Sequence, residues 1–117
     1  MSDCKNTQNI TVLVSLAAAS SFTVDLNSRF IAKKIVVKNL FYTDDSTKLD
    51  LVKIKSSFLP DDGVLGVVSD SIGLNSQPLE FHGRFDLNGN YTFNLLDYDD
   101  DIYNLTGLLS FVLVLSD

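Results

Sequence analysis

The residues best equipped for chemistry lie in one short acidic run, Asp97-Tyr98-Asp99-Asp100-Asp101. Carboxylates at alternate positions, here Asp97, Asp99 and Asp101, can wrap a hard cation such as Ca²⁺. The run is not an EF-hand loop: Ile102 stands where that loop needs glycine, and Leu108 where it needs a bidentate glutamate. Asp44-Asp45 and Asp61-Asp62 can add ligands only if their loops gather at the same end. With Tyr98 and Tyr103 as stacking platforms, the run gives one reading of function, a Ca²⁺-assisted carbohydrate-binding module. The plainer reading is a solvated acidic turn between strands.

The other reactive side chains form no constellation. His82 is the only histidine. Its alternation with Arg84 and Asp86 puts it on the outward face of a strand, which makes it a surface residue rather than a base or ligand. Cys4 sits in a polar N-terminal stretch with no electropositive neighbourhood, and a lone cysteine makes no internal disulfide. Glu80 has no carboxylate partner at a spacing that indicates glycoside hydrolysis. Gly63, Gly66 and Gly73 are not followed by the Gly-Lys-Ser/Thr of a phosphate loop. Asn9, Asn90 and Asn104 begin glycosylation-type triplets, which an Asn-, Ser- and Thr-rich chain produces by chance. These observations predict no enzyme, no cofactor and no metal as the first reading.

The elements that must position these residues are strands. The stretch from Phe81 to Leu96 predicts a β-hairpin, since Asn88-Gly89 is a strong short-range turn signal. A three-residue loop, Asn88 to Asn90, sets Leu87 opposite Tyr91, Phe85 opposite Phe93 and Gly83 opposite Leu95. Phe81, Phe85, Leu87, Tyr91, Phe93 and Leu95 then share an apolar face, while His82, Arg84, Asp86, Thr92 and Asn94 face water. Ile10 to Leu16 alternates as a strand, with Thr11, Leu13 and Ser15 on the other side, and Ala17 to Ser21 reads as a turn or sharp bend. Phe22 to Leu26 is a second strand. Ala32 to Tyr42 is a third, whose faces agree if a bulge lies near Asn39. Leu49 to Phe58 alternates with Lys53 and Lys55 on the solvated side, Pro60 to Gly63 is a turn, and Val64 to Val68 is a short strand.

The closing run, Leu108 to Leu115, is almost wholly apolar. It predicts a central strand that is either buried on both faces or buried inside and covered outside by a partner. Leu109, Phe111, Leu113 and Leu115 are the core side. Leu108, Val112 and Val114 are the candidate oligomer interface.

About eight short strands with turn chemistry between them define an all-β chain, an antiparallel β-sandwich that is jelly-roll-like. At 117 residues and 45% hydrophobic content it is a single domain, residues 10–117, preceded by a flexible N-terminal arm at residues 1–9. A net charge of −6 and a pI near 4.5 exclude a general binder of nucleic acid or anionic membrane. Ile10 to Ala19 has the length of a signal-peptide core but lacks a basic flank and alternates like a strand. No run is long enough to insert as a membrane-spanning helix.

The segments Ile35-Val-Val-Lys-Asn-Leu-Phe-Tyr42, Leu51-Val-Lys-Ile-Lys-Ser-Ser-Phe58 and Gly89-Asn-Tyr-Thr-Phe-Asn-Leu95, with the apolar last strand, resemble small jelly-roll-like virion proteins of large DNA viruses and virophages. The Gly-x-Tyr-x-Phe run and the final strand are also similar to trimeric jelly rolls of the tumour-necrosis-factor and complement-C1q type. The resemblance implies a non-enzymatic assembly role, as a homo-oligomeric trimer or with other structural proteins in a capsid shell. It also implies residence in the virion or the host cytoplasm. The expectation is a structural protein that self-associates through apolar strand surface.

Overall fold

A computed structural model describes residues 6–43, 52–59, 63–68 and 79–117. These residues form eight strands: β1 (Thr7–Ala19), β2 (Ser21–Asn27), β3 (Ala32–Thr43), β4 (Val52–Ser56), β5 (Val64–Val68), β6 (Leu79–Phe85), β7 (Asn88–Leu96) and β8 (Leu105–Ser116). They build two antiparallel sheets of four, in the orders β1-β8-β3-β6 and β2-β7-β4-β5. The pairs β1/β8, β2/β7, β3/β6 and β4/β5 are those of one long hairpin rolled up on itself. That arrangement is the jelly roll, so the expected fold class is the one observed. The first sheet contains the three longest strands, and its outer face is the surface on which the candidate site lies.

The hairpin expected between Phe81 and Leu96 does not form. β6 pairs with β3 in the first sheet, and β7 pairs with β2 and β4 in the second. Asp86 and Leu87 carry the chain across the sandwich instead. Asn88 and Gly89 are already in β7, opposite Asn27 and Leu26. The crossing is pinned from both sides. Leu87 N–H donates to Ser28 Oγ at 3.0 Å, and Ser28 N–H donates to the Leu87 carbonyl at 2.7 Å. Tyr91 Oη accepts from Asn88 N–H at 3.0 Å and donates to the Asp86 carbonyl at 3.2 Å. The face assignment survives the change of partner: Phe85, Leu87, Phe93 and Leu95 are buried, while His82, Arg84, Asp86, Thr92 and Asn94 are exposed. An arch between two sheets and a hairpin within one sheet both point the same alternate residues at the core.

The core is continuous between the sheets. Phe93 on β7 stacks on Phe22 of β2 at 5.0 Å and meets Phe111 of β8 across the sandwich at 5.8 Å. Phe58 approaches Phe93 edge-on at 5.9 Å. Leu109, Phe111, Leu113 and Leu115 line the inner side of β8 and are buried, as the sequence predicts.

Two bulges adjust the long strands. Between Lys38 and Phe41 the register of β3 on β8 shifts by one residue, with Asn39 at φ +57°. This is the bulge expected near Asn39. It turns Leu40 inward with Ile35 and Val37 and sends Phe41 outward. The second bulge lies between Leu16 and Ala19 of β1, with Ala18 at φ +51° and its N–H bonded to Thr106 Oγ1 at 2.9 Å. Ser20 alone then separates β1 from β2, which is the bend expected at Ala17 to Ser21.

β1 begins at Thr7, inside the segment expected to be an arm. Thr7, Gln8 and Asn9 pair with Ser116, Leu115 and Val114, and the Gln8 side chain bonds the Asn27 carbonyl and the Arg29 N–H. Polar residues serve an edge strand as well as apolar ones when the ladder satisfies their backbone. The turns expected at 43–46 and 60–63, residues 49–51 and Cys4 fall wholly or largely outside the described residues.

Phe93→Ala removes the ring that joins the two sheets, and an unfolding titration is expected to show a loss of about 3–5 kcal/mol. Gly89→Ala tests the backbone alone. Gly89 sits at φ +125° with no atom within 4 Å of where a Cβ would be. A loss of roughly 1 kcal/mol is expected there, from conformation and not from packing.

Candidate functional site

The outer face of the first sheet is assembled by the registers of β1 and β3 on β8. One row reads Leu13–Ser110–Phe41, the next Thr11–Val112–Lys38, and the next Asn9–Val114–Val36. On the other side of the first row lie Ser15 and Leu108. Leu13 is 69% exposed, Leu108 47% and Phe41 40%. Val112, Val114 and Val36 are half-buried between their neighbours. Ser110, short and half-buried, lies in the floor between Leu13 and Phe41. The result is an apolar patch in which Lys38, opposite Val112 in the middle row, is the one charged residue of these rows.

The sequence places Leu108, Val112 and Val114 on this face, and the structure keeps them there. β8 is a central strand whose inner side is sealed and whose outer side is open among the described residues. Leu13 and Phe41 complete the patch and are absent from the interface predicted from sequence. Leu13 is detectable as the one apolar residue in the polar series Thr11, Leu13, Ser15. Phe41 changes sides only because of the bulge at Asn39, so simple alternation misplaces it.

The acidic run is closed on itself. The Asp97 carboxylate accepts the N–H groups of Asp99 and Asp101, each at 2.9 Å. Asp100 is at φ +65°, and its carboxylate pairs with Lys53, with Lys55 also near at 3.9 Å. Lys53 Nζ also donates to the Tyr98 carbonyl at 3.4 Å. Lys53 and Lys55, expected on the solvated side, are therefore drawn towards the acidic run, which the β4/β7 ladder sets beside them. Among the described residues no group of three or more His, Cys, Asp or Glu side chains is placed to hold a metal ion, so Asp97, Asp99 and Asp101 do not converge. Tyr98 is exposed, whereas Tyr103 packs against the core, so the two rings do not form a shared platform.

His82 is exposed, as expected, and its Nε2 lies 3.0 Å from Glu80 Oε1, with Lys34 3.8 Å from the same oxygen. A recess of about 390 Å³ at the start of β1 is lined by Asn6, Thr7, Arg29 and Phe30. Its polar groups are engaged in tying the start of β1 to its surroundings: Asn6 Nδ2 donates to Asp117 Oδ2 at 2.8 Å, and Arg29 Nη2 donates to the Thr7 carbonyl at 3.4 Å. It holds no nucleophile beside a base, which acyl or phosphoryl chemistry requires. No helix among the described residues is long and apolar enough to cross a membrane.

No protein family and no curated protein matches the chain. Among solved structures it is similar to the core of Drosophila NLP, whose structure is described for pentamer formation and histone binding. That similarity has 12% identity, covers 96% of each chain and has a TM-score of 0.44. A likeness of this size carries no argument about partners.

The Lys53 hydrogen bond and charge hold the Asp100 carboxyl below the usual aspartate range. Partial loss of solvent opposes the shift, and Lys55 adds to it. A depressed folded-state value means that the pairing stabilises the loop fully above the unfolded aspartate value and is lost as pH falls through the folded one. Carboxylate NMR is expected to show Asp100 titrating at lower pH than in a Lys53→Met variant, where it returns towards the ordinary value.

Proposed function

We propose that this chain is a non-enzymatic structural protein that assembles with copies of itself, as a component of a shell such as a virion. The observation that carries the reading is the apolar patch of Leu13, Phe41, Leu108 and Val112 on the open side of a central strand. Exposed contiguous apolar surface on a stable sandwich marks a contact surface. The size is adequate. Three strands of 12–13 residues and a shorter fourth make a face about 40 Å long and about 19 Å wide. The whole face is thus close to the ~800 Å² per partner of a standard interface; the apolar patch is its β1–β8–β3 part, and β6 adds a charged flank of Glu80, His82 and Arg84. The occupant is a second copy: the patch is nearly uncharged, so like faces meet without repulsion, and Ser110 leaves room between Leu13 and Phe41 for a side chain of the partner. Jelly rolls serve as building blocks of viral shells, and this link to a virion is an analogy of fold.

Light scattering at micromolar concentration is expected to give a mass above that of one chain. Leu108→Glu should lower that mass while unfolding stability changes by no more than ~0.5 kcal/mol, the usual range for a surface position. A wild-type chain that stays monomeric throughout the concentration series sinks the proposal.

A further inference from the structure

The first sheet has two edges, β1 and β6, and the second has β2 and β5. Three of them carry the usual defences against pairing with another strand. β6 bears Glu80, His82 and Arg84, β2 bears Asp25, and β5 is only five residues long. β1 has none. Its sequence, Thr-Gln-Asn-Ile-Thr-Val-Leu-Val-Ser-Leu-Ala-Ala-Ala, runs 13 residues without a charge, a proline or a glycine.

The hydrogen-bonding direction of β1 is fixed at both ends. Asp117 N–H donates to the Asn6 carbonyl at 3.3 Å, and Ala18 N–H reaches Thr106 Oγ1, so even-numbered residues turn their backbone groups towards β8. Odd-numbered residues turn theirs outward. Arg29 takes the Thr7 carbonyl from that side. The N–H and C=O groups of Asn9, Thr11, Leu13 and Ser15 face away from the sheet along its free edge.

We infer that β1 pairs antiparallel with β1 of a second copy about a two-fold axis at Leu13, joining the two first sheets into one continuous sheet. The inference rests on the reading that the chain assembles with itself, and it names how. Leu13 is the midpoint of Thr7–Ala19. A register centred there sets Leu13 against its own copy, Val12 against Val14, Thr11 against Ser15 and Ile10 against Leu16. Inner residues meet inner and outer meet outer, as directly opposed residues of a pleated sheet must. The residues whose backbone groups face outward fall opposite one another, giving roughly six new main-chain bonds from the pairs at 11, 13 and 15. Ile10 and Val14, only partly buried in one chain, gain apolar neighbours. A two-fold axis brings identical residues together, so an uncharged strand is the kind that can pair with itself.

Thr11→Pro is the direct test. It removes an outward N–H and no bond to β8, a placement an edge strand accepts. By light scattering the Thr11→Pro chain is expected to lose the edge contact and fall to the mass of a face-paired dimer. Leu108→Glu is expected to retain an edge-paired dimer, and the double variant to be a monomer. A folded Thr11→Pro chain with unchanged mass overturns the edge pairing alone, and a monomeric wild type overturns both this inference and the assembly itself. If Thr11→Pro does not fold, cross-linking decides. In a Cys4→Ser, Leu108→Glu background, which removes the face contact, Leu13→Cys is expected to give a covalent dimer with diamide, while Asn9→Cys, far from the axis, does not. Equal cross-linking at both positions, or none at either, overturns the register.

Discussion

Everything in this molecule depends on the rolling of one antiparallel ribbon. Each strand pairs with the one that completes the hairpin, first with last and inward to the tip at β4 and β5. Rolling the ribbon stacks its two halves face to face, and the stack is stable only if one side of every strand is apolar. Phe93 and Phe111 show how the closure is achieved. They lie on strands of opposite sheets and meet at the centre, with Phe22 and Phe58 filling the space beside them. β8 enters between β1 and β3, which puts its inner leucines at the heart of the core and leaves its other side turned outward.

The bulge at Asn39 links core to surface. A single extra residue in β3 brings Leu40 inward, where its side chain comes within 2.7 Å of the position a Cβ on Gly66 would occupy. The same residue turns Phe41 outward beside Ser110. Asn is one of the few residues that accepts the left-handed conformation at low cost. The close approach of β5 to β3 and the aromatic member of the outer patch therefore have one local cause.

The sequence made the strands and their faces legible, because alternation of Val, Ile, Leu and Phe with polar residues reports which side of a strand is dry. It did not make the pairing of β6 and β7 legible. Asn88-Gly89 signals a turn wherever positive φ is used, and here Gly89 uses it inside β7, opposite Leu26. The partner of a strand is decided by distant segments, and alternation carries no information about them. The acidic run was legible as a loop but not as a closed one. That required Lys53 of β4 to lie beside Asp100, a proximity set by the β4/β7 ladder. The patch was half legible: Leu108, Val112 and Val114 follow from a two-sided apolar run, whereas Phe41 needs the bulge to be placed.

Asn6 and Asp117 are hydrogen-bonded at the open end of the β1/β8 ladder. On a ribosome this has a kinetic meaning. β1 is made before β2 to β7 and the strand that receives it, β8, after them, so the first sheet closes only once β8 is available. Loop-closure entropy makes such distant pairing slow. During that interval an uncharged 13-residue strand waits without its neighbour. Until β8 arrives, the inward backbone groups of β1 have only water to bond, so its half of the ladder is the last part of the first sheet to be satisfied.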